Sequence, residues 1–563
     1  MSLFALLTWA YLPPRPFSIP TRAAAPRLCT DGGDVKGEED WRDVRARLVA
    51  MEQLEQADPD APPGLSSPVV SGAPVYETPL IERGSVILGG TQQEFGFALR
   101  QQYFHKSVML LLQHDDAFTR GIILNRPSAM ELDGWRVWFG GDVAEGGLFH
   151  GNGRAGGTRE IVCLHSLASD AATRLSMPVI RGVQYTTLEG AQALVASGEA
   201  ERSSFWLFVG YAGWAPKQLQ GEVERDSWYL AAADSEVLLR ELLRQGTELP
   251  PPSAGVGAAG DGLQTWEGLM RAIGKGEEAD RTRGNLEDRM LAEWVRQHLV
   301  PRPALAEPAR AEGGDGEALA GRVLCSGRGT DAYTLESQFL HKSLLLLLHE
   351  TEQGLAVAAV LNRPTANVVQ FNLPDRPRRA IGFGGEARVR GGSLDVDGNG
   401  LLWLHTRGEA LGGTPVGECG VWRIKSSVAA ARINDGDASL SDFLLLSGVV
   451  GWDRADLEAR LARGELEQVA SPALLWPQIW ALGEVSPGGE AGSAGAGSVE
   501  AAPVELSDGT AIWYAALQQG TGGGDEGFGA SLGAVPPSAL ADEALQVWLH
   551  FFAGHPMPEA AAE

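Results

Sequence analysis

The chain has 563 residues, 44% apolar and 21% charged, a balance ordinary for globular proteins and long enough for about two to four domains. Its net charge of −26 repels phosphate backbones and argues against non-specific nucleic-acid binding. Four scattered cysteines without a CxxC pair argue against a disulfide scaffold or a thiolate metal site, and no apolar run reaches the ~20 residues of a spanning helix.

The first 30 residues hold no Asp or Glu but carry Arg15, Arg22 and Arg27. An apolar stretch from Leu3 to Leu12 precedes PPRPFSIPTRAAAPRL, and together they read as a targeting leader over residues 1–30. The segment resembles the two-part leaders of plastid proteins in algae with secondary plastids, with Phe17 near the first cleavage point. That resemblance implies delivery to a chloroplast; the alternatives are mitochondrion, secretion or no targeting. From Asp31 the composition turns acidic, and Trp41, Val44, Leu48 and Met51 have the spacing of an amphipathic helix. A Pro/Gly/Ser-rich stretch from Asp58 to Pro74 follows, so residues 31–78 read as an acidic helix and linker.

The remaining chain is written twice. HKSVMLLLQH (His105 to His114) returns as HKSLLLLLHE (His341 to Glu350). LNRP ends at Pro127 and at Pro364, and FGG ends at Gly141 and at Gly385. CLH ending at His165 meets WLH ending at His405, and Gly213-Trp214 meets Gly451-Trp452. One order and nearly one spacing throughout indicate duplication of a whole domain. The first copy is placed at residues 79–300 and the second at 321–553, with a Pro/Gly/Ala/Glu linker at 301–320 and a tail at 554–563. The second copy also carries two Gly-rich loops, SPGGEAGSAGAGSVEAAP and QQGTGGGDEGFGASLGAVP.

Within each copy, Ser107 to Leu112 and Ser343 to Leu348 are expected to be strands covered on both faces. GIILNRP and AAVLNRP read as a second strand stopped by proline, and FWLFVGYAGW and FLLLSGVVGW as a third. PKQLQGEVERDSW and RADLEARLARGEL have helical spacing. Apolar runs that crowd together before any helix predict α+β rather than a doubly wound sheet.

The phrases HKSVMLLLQHDDAFTRGIILNRPS, FGGDV and VGYAGWAPKQLQGEVERDSW resemble the AlgH-like proteins, a largely uncharacterised family. The resemblance covers most of both copies. It implies two tandem α+β domains, each a mixed, barrel-like sheet with packed helices. The family name comes from a proposed regulation of bacterial polysaccharide synthesis and brings no settled activity. The second copy departs from the pattern at His349-Glu350, Ala358 and Val449-Val450, and Asp142 stands where the family usually has Pro.

Several residue types invite a chemical reading. His105 and Ser107, two apart, would share a strand face, but neither Ser107 nor Ser343 sits in a G-x-S-x-G elbow. The simpler reading is a polar strand entrance, with Ser bonded to backbone and Lys in solvent. His105, His114, His150 and His165 form no HxxxH or HExxH pair, so no metal ligand set and no cofactor is expected. Asn125-Arg126 ends a strand with a fork donor suited to carboxylate or phosphate, beside Gly140 and Gly141, whose bare backbone could approach a ligand. The alternative is a turn whose Arg pairs with an internal acid such as Asp142 or Glu386. Gly213-Trp214 closes the candidate ligand-binding set at the head of a helix.

Three functions are carried forward. The first is a non-enzymatic regulatory or binding module acting through a protein partner or a small anionic ligand. The second is a hydrolase or transferase confined to the first copy, using Ser107 or His114 near Arg126. The third is transcriptional regulation, suggested by the family name and opposed by the acidic charge. No nucleic acid or membrane partner is expected, and duplication allows the copies to pair as an internal pseudo-dimer.

Overall fold

The structure is a computed structural model that describes residues 75–91, 101–149, 159–247, 262–300, 319–327, 337–387, 400–485, 507, 509–519 and 539–556. All lie in the compact unit Asp60–Glu563. The leader, the acidic helix and its linker as far as Pro74, the linker from 301 to 318, the Gly-rich stretches 486–503 and 520–536 and residues 557–563 lie outside the described residues. The first copy begins before residue 79, since Val75–Glu77 joins its first sheet.

The first copy supplies β1 (Val75–Glu77), β2 (Val86–Gly89), β3 (Val108–His114), β4 (Thr119–Ile123), β5 (Pro127–Leu132), β6 (Trp135–Phe139), β7 (Ile161–His165), β8 (Met177–Ile180), β9 (Val183–Thr187), β10 (Trp206–Val209), β11 (Ala212–Trp214) and β12 (Trp228–Ala233). They form two six-stranded sheets, ordered β1-β12-β2-β3-β4-β11 and β5-β6-β10-β7-β9-β8. The first is antiparallel at every pairing, whereas the second is mixed, because β10 runs parallel to β6 and antiparallel to β7.

The second copy repeats this. It supplies β13 (Val323–Ser326), β14 (Leu344–Glu350), β15 (Leu355–Val360), β16 (Pro364–Gln370), β17 (Arg378–Phe383), β18 (Leu401–His405), β19 (Thr414–Pro415), β20 (Trp422–Ile424), β21 (Phe443–Ser447), β22 (Val450–Asp453) and β23 (Leu466–Gln468). Their orders, β23-β13-β14-β15-β22 and β16-β17-β21-β18-β20-β19, match the first copy strand for strand, except that β1 has no counterpart among the described residues. Even the bulges agree, between Leu111 and Gln113 in one copy and between Leu347 and His349 in the other.

The leucine run lies on a strand with both faces covered. Leu344, Leu346 and Leu348 enter one core, while Leu345 and Leu347 enter another, as a two-residue side-chain period requires. β3 divides in the same way, with Val108, Leu110 and Leu112 on one side and Met109 and Leu111 on the other. Each side chain so buried contributes about 1.5–3 kcal/mol.

The α+β class and the mixed sheet hold, and in each copy the chain passes between two sheets. Two expected strands are corrected accordingly. FWLFVGYAGW is not one strand: β10 pairs β6 and β7, whereas β11 pairs β4 in the other sheet. Gly210, at φ 76°, makes the switch, and a Cβ there would lie 2.0 Å from the carbonyl oxygen of Gly141. FLLLSGVVGW divides identically into β21 and β22. At LNRP, proline does more than stop a strand: Pro127 and Pro364 begin β5 and β16 in the second sheet of each copy.

Four helices position the site: α1 (Leu263–Ala272) and α2 (Leu286–His298) in the first copy, and α3 (Thr510–Gln519) and α4 (Ala539–Trp548) in the second. α2 starts at Asn285, whose side chain accepts from the Asp288 amide at 3.0 Å. Glu287 and Asp288 in its first turn and Arg296 and His298 in its last complement the helix dipole. Leu286, Met290, Leu291 and Trp294 form its buried stripe. α2 packs on α4, and one core takes Tyr103, Phe139 and Trp294 together with Phe339, Leu345 and Trp548.

Candidate functional site

His105 and Lys106 stand in a tight turn between the 3₁₀ segment Gln102–Phe104 and β3. Lys106 has φ 48° and its twin Lys342 has φ 51°, a left-handed conformation that costs a non-glycine residue about 1 kcal/mol or more. The turn must therefore be held from outside itself. Asn125 holds one side: its Oδ1 accepts from the Val108 amide at 2.8 Å, and its Nδ2 donates to the carbonyls of Lys106 at 3.0 Å and Gly262 at 2.9 Å. Arg126 holds the other, donating to the carbonyl of Asn125 at 2.8 Å and to that of His105. Asn362 and Arg363 repeat the arrangement on Leu344, Lys342, Gly509 and His341.

The side chains of the turn converge on one acid from α2. His105 Nε2 lies 2.7 Å from Asp288 Oδ1, Lys106 Nζ lies 2.8 Å from the same oxygen, and the Gly284 amide donates to Oδ2 at 2.7 Å. Lys106 also donates to the Thr282 carbonyl at 2.7 Å and lies over the Trp266 ring, whose Nε1 donates to the Gly89 carbonyl. In the second copy Asp542 takes the place of Asp288, 2.8 Å from His341 and 2.6 Å from Lys342. Trp513 replaces Trp266, with its Nε1 on the Ser326 carbonyl. Exposure differs: the side chains of Lys106 and Asp288 are 0% and 6% exposed, those of Lys342 and Asp542 12% and 39%.

Burial pushes His105 below the ordinary imidazole range, outweighing the pull of Asp288 in the other direction. Burial alone would raise Asp288, but hydrogen bonds from His105 and Lys106 hold it below the ordinary carboxylate range. His341 and Asp542 move the same ways for the same reasons. Each turn is thus a carboxylate held by a lysine and hydrogen-bonded to a histidine that burial keeps neutral.

This geometry corrects the strand-entrance reading. His105 and Ser107 do not share a strand face, because both precede β3. The lysine is not in solvent. The serine is not bonded to backbone: Ser107 and Ser343 are fully buried, and neither Oγ has a hydrogen-bond partner among the described residues. Asp142 accepts from the Tyr103 hydroxyl at 2.9 Å, while Arg126 meets carbonyls.

The six candidate ligand residues fall into two places. Asn125 and Arg126 adjoin Gly140 and Gly141 through the backbone, since the Phe139 amide donates to the Arg126 carbonyl and the Ile123 amide to that of Gly140. Close backbone approach explains both glycines: a Cβ at Gly140 would lie 2.4 Å from the Gly210 oxygen, and one at Gly141 2.2 Å from the Tyr211 carbonyl carbon. Gly213 and Trp214 stand apart, on edge strand β11. Gly213 faces the Phe118 ring, and Trp214 is buried with its Nε1 on Glu222 at 2.9 Å, beside Trp228 on the same carboxylate.

Of the histidines, His114 Nδ1 lies 2.8 Å from Thr119 Oγ1 and His165 Nε2 lies 2.8 Å from Ser176 Oγ, while His150 lies outside the described residues. Among the described residues no three His, Cys, Asp or Glu side chains gather as metal ligands, and no helix is long and apolar enough to cross a membrane.

Asp288, Asp542, Trp266 and Trp513 are absent from the sequence expectations. Two weak repeats could have found them: L-x-D-x-x-L-x-x-W at 286–294 and 540–548, and G-x-x-x-W at 262–266 and 509–513. Those glycines are required, because Gly262 and Gly509 have φ 73° and 72° and a Cβ on either would lie 1.9 Å from the Asn125 or Asn362 carbonyl oxygen.

Comparison with known proteins agrees with the first-copy motifs. The family model described as DUF179, AlgH-like, matches residues 96–247. A UPF0301 protein of Streptomyces avermitilis is 31% identical over 163 residues, covering 26% of this chain and 81% of the relative. One from Thioalkalivibrio sulfidiphilus is 33% identical over 142 residues, covering 24% and 73%. Among solved structures, the AlgH protein of Pseudomonas aeruginosa is 18% identical with a TM-score of 0.22, over 30% of this chain and 88% of that one. A Corynebacterium diphtheriae protein is 16% identical with a TM-score of 0.23, over 38% and 94%. With relatives above 30% identity matched over most of their length, the chain belongs to the AlgH-like, UPF0301 family.

Proposed function

We propose that this AlgH-like protein is a non-enzymatic regulatory or binding module that acts through protein contacts on its outer surface. One observation carries the reading: the polar motifs common to both copies point inward and hold backbone. Arg126 and Arg363, the forks best suited to an anion, are buried on carbonyl groups. Among the described residues no base is hydrogen-bonded to Ser107: His105 faces Asp288 and His114 faces Thr119. A scaffold retained twice while surface sequence drifts suits recognition better than turnover.

The full chain and its Ser107→Ala variant, assayed on p-nitrophenyl acetate and p-nitrophenyl phosphate, test this. Turnover lost in the variant would restore the hydrolase or transferase reading of the first copy. Titration with inorganic phosphate separates the small-anion alternative at Asn125, Arg126, Gly140, Gly141, Gly213 and Trp214, which demands saturable binding. A gel shift at low salt, where electrostatic affinity is greatest, addresses direct transcriptional regulation. Plastid delivery belongs to the same proposal, and a fluorescent fusion of residues 1–30 tests it in an alga with secondary plastids.

A further inference from the structure

The helix that carries the acid of each turn is also where the two copies touch. α2 and α4 pack together, and Met290, Leu291 and Trp294 share one core with Ala544, Leu545 and Trp548. Aligned on L-x-D-x-x-L-x-x-W, Asp288 corresponds to Asp542, and both face a His-Lys pair. Arg289 therefore corresponds to Glu543. These equivalent residues meet: Arg289 Nη2 lies 2.6 Å from Glu543 Oε1. In an isologous interface, a residue that touches its own equivalent lies at the two-fold axis.

We infer that Arg289 and Glu543 mark the pseudo-two-fold axis of an internal pairing and select its members, the first copy with the second. Pairing of first copies with one another would bring two guanidinium groups together there. Pairing of second copies would bring two carboxylates together. The attraction itself is modest, because the side chains are 37% and 42% exposed and water screens them. Discrimination comes from the like-charge contact in both wrong pairings. The partner this face takes is a copy of the same domain with the opposite charge at the axis, and the tether supplies one at high effective concentration.

Charge reversal in the full chain reproduces each wrong pairing. Arg289→Glu places two carboxylates at the axis, Glu543→Arg places two guanidinium groups there, and the double variant restores opposite charges. Urea unfolding at low salt is expected to show each single reversal lowering the folded-to-unfolded ratio about three- to tenfold, more than Arg289→Ala or Glu543→Ala. The double variant should return to within about twofold of the parent. Losses that simply add in the double variant, or reversals no worse than alanine, would overturn the inference. Neither residue belongs to the His-Lys-Asp turn, so this outcome is independent of the proposed function.

Discussion

Lys106 Nζ lies 2.8 Å from Asp288 Oδ1 in a sealed site, whereas Lys342 Nζ lies 2.6 Å from Asp542 Oδ1 in an open one. Water screens the second pair, so its removal costs little. Asp542→Asn is expected to lower stability by no more than about 1 kcal/mol, measured by urea unfolding.

Ser107→Ala and Ser343→Ala are expected to be neutral, or to stabilise by up to about 1 kcal/mol. Each removes a buried hydroxyl that has no hydrogen-bond partner among the described residues, and alanine leaves no polar atom behind. Thermal midpoints at or above that of the parent are the expected result.

Arg126→Lys is expected to cost about 2–4 kcal/mol, because an ammonium cannot reproduce the planar fork that holds the Asn125 and His105 carbonyls. Arg363→Lys should cost a similar amount through the Asn362 and His341 carbonyls. Equilibrium unfolding of the two variants side by side checks both magnitudes.

Acidification is expected to destabilise the fold in two stages. Burial lowers the pKa of His105, His165, His341 and His405, so the unfolded chain binds more protons once pH falls through the ordinary histidine value of about 6.5. Stability present above that pH is lost on the way down to the depressed folded values. Asp288 and Asp542 are also lowered, and their contribution disappears only as pH falls through their own folded values, below the ordinary carboxylate range. Urea midpoints between about pH 7.5 and 5 should decline, and a flat profile would contradict this assignment.

Local patterns in the sequence revealed local structure. The leucine run shows that Leu344 to Leu348 form a strand covered on both faces, because an unbroken apolar stretch too short for a helix needs two cores. Duplication was legible from His341, Asn362 and Gly451 because their order is kept. The switch at Gly210 was not legible, since the apolar pattern continues through it while the chain changes sheets. The acid was missed for a different reason: Asp288 is 183 residues from His105, and no spacing rule reaches across such a distance. Arg126 looked like an anion receptor because a buried fork on carbonyls and an exposed fork awaiting phosphate have the same sequence.

Urea unfolding of Asp288→Asn tests the structural role of the turn most directly. A drop of about 3–5 kcal/mol is expected, because the change leaves the Lys106 ammonium buried without its counter-charge. An unchanged or raised midpoint would contradict it, since that is the behaviour of a carboxylate kept for chemistry at the expense of stability.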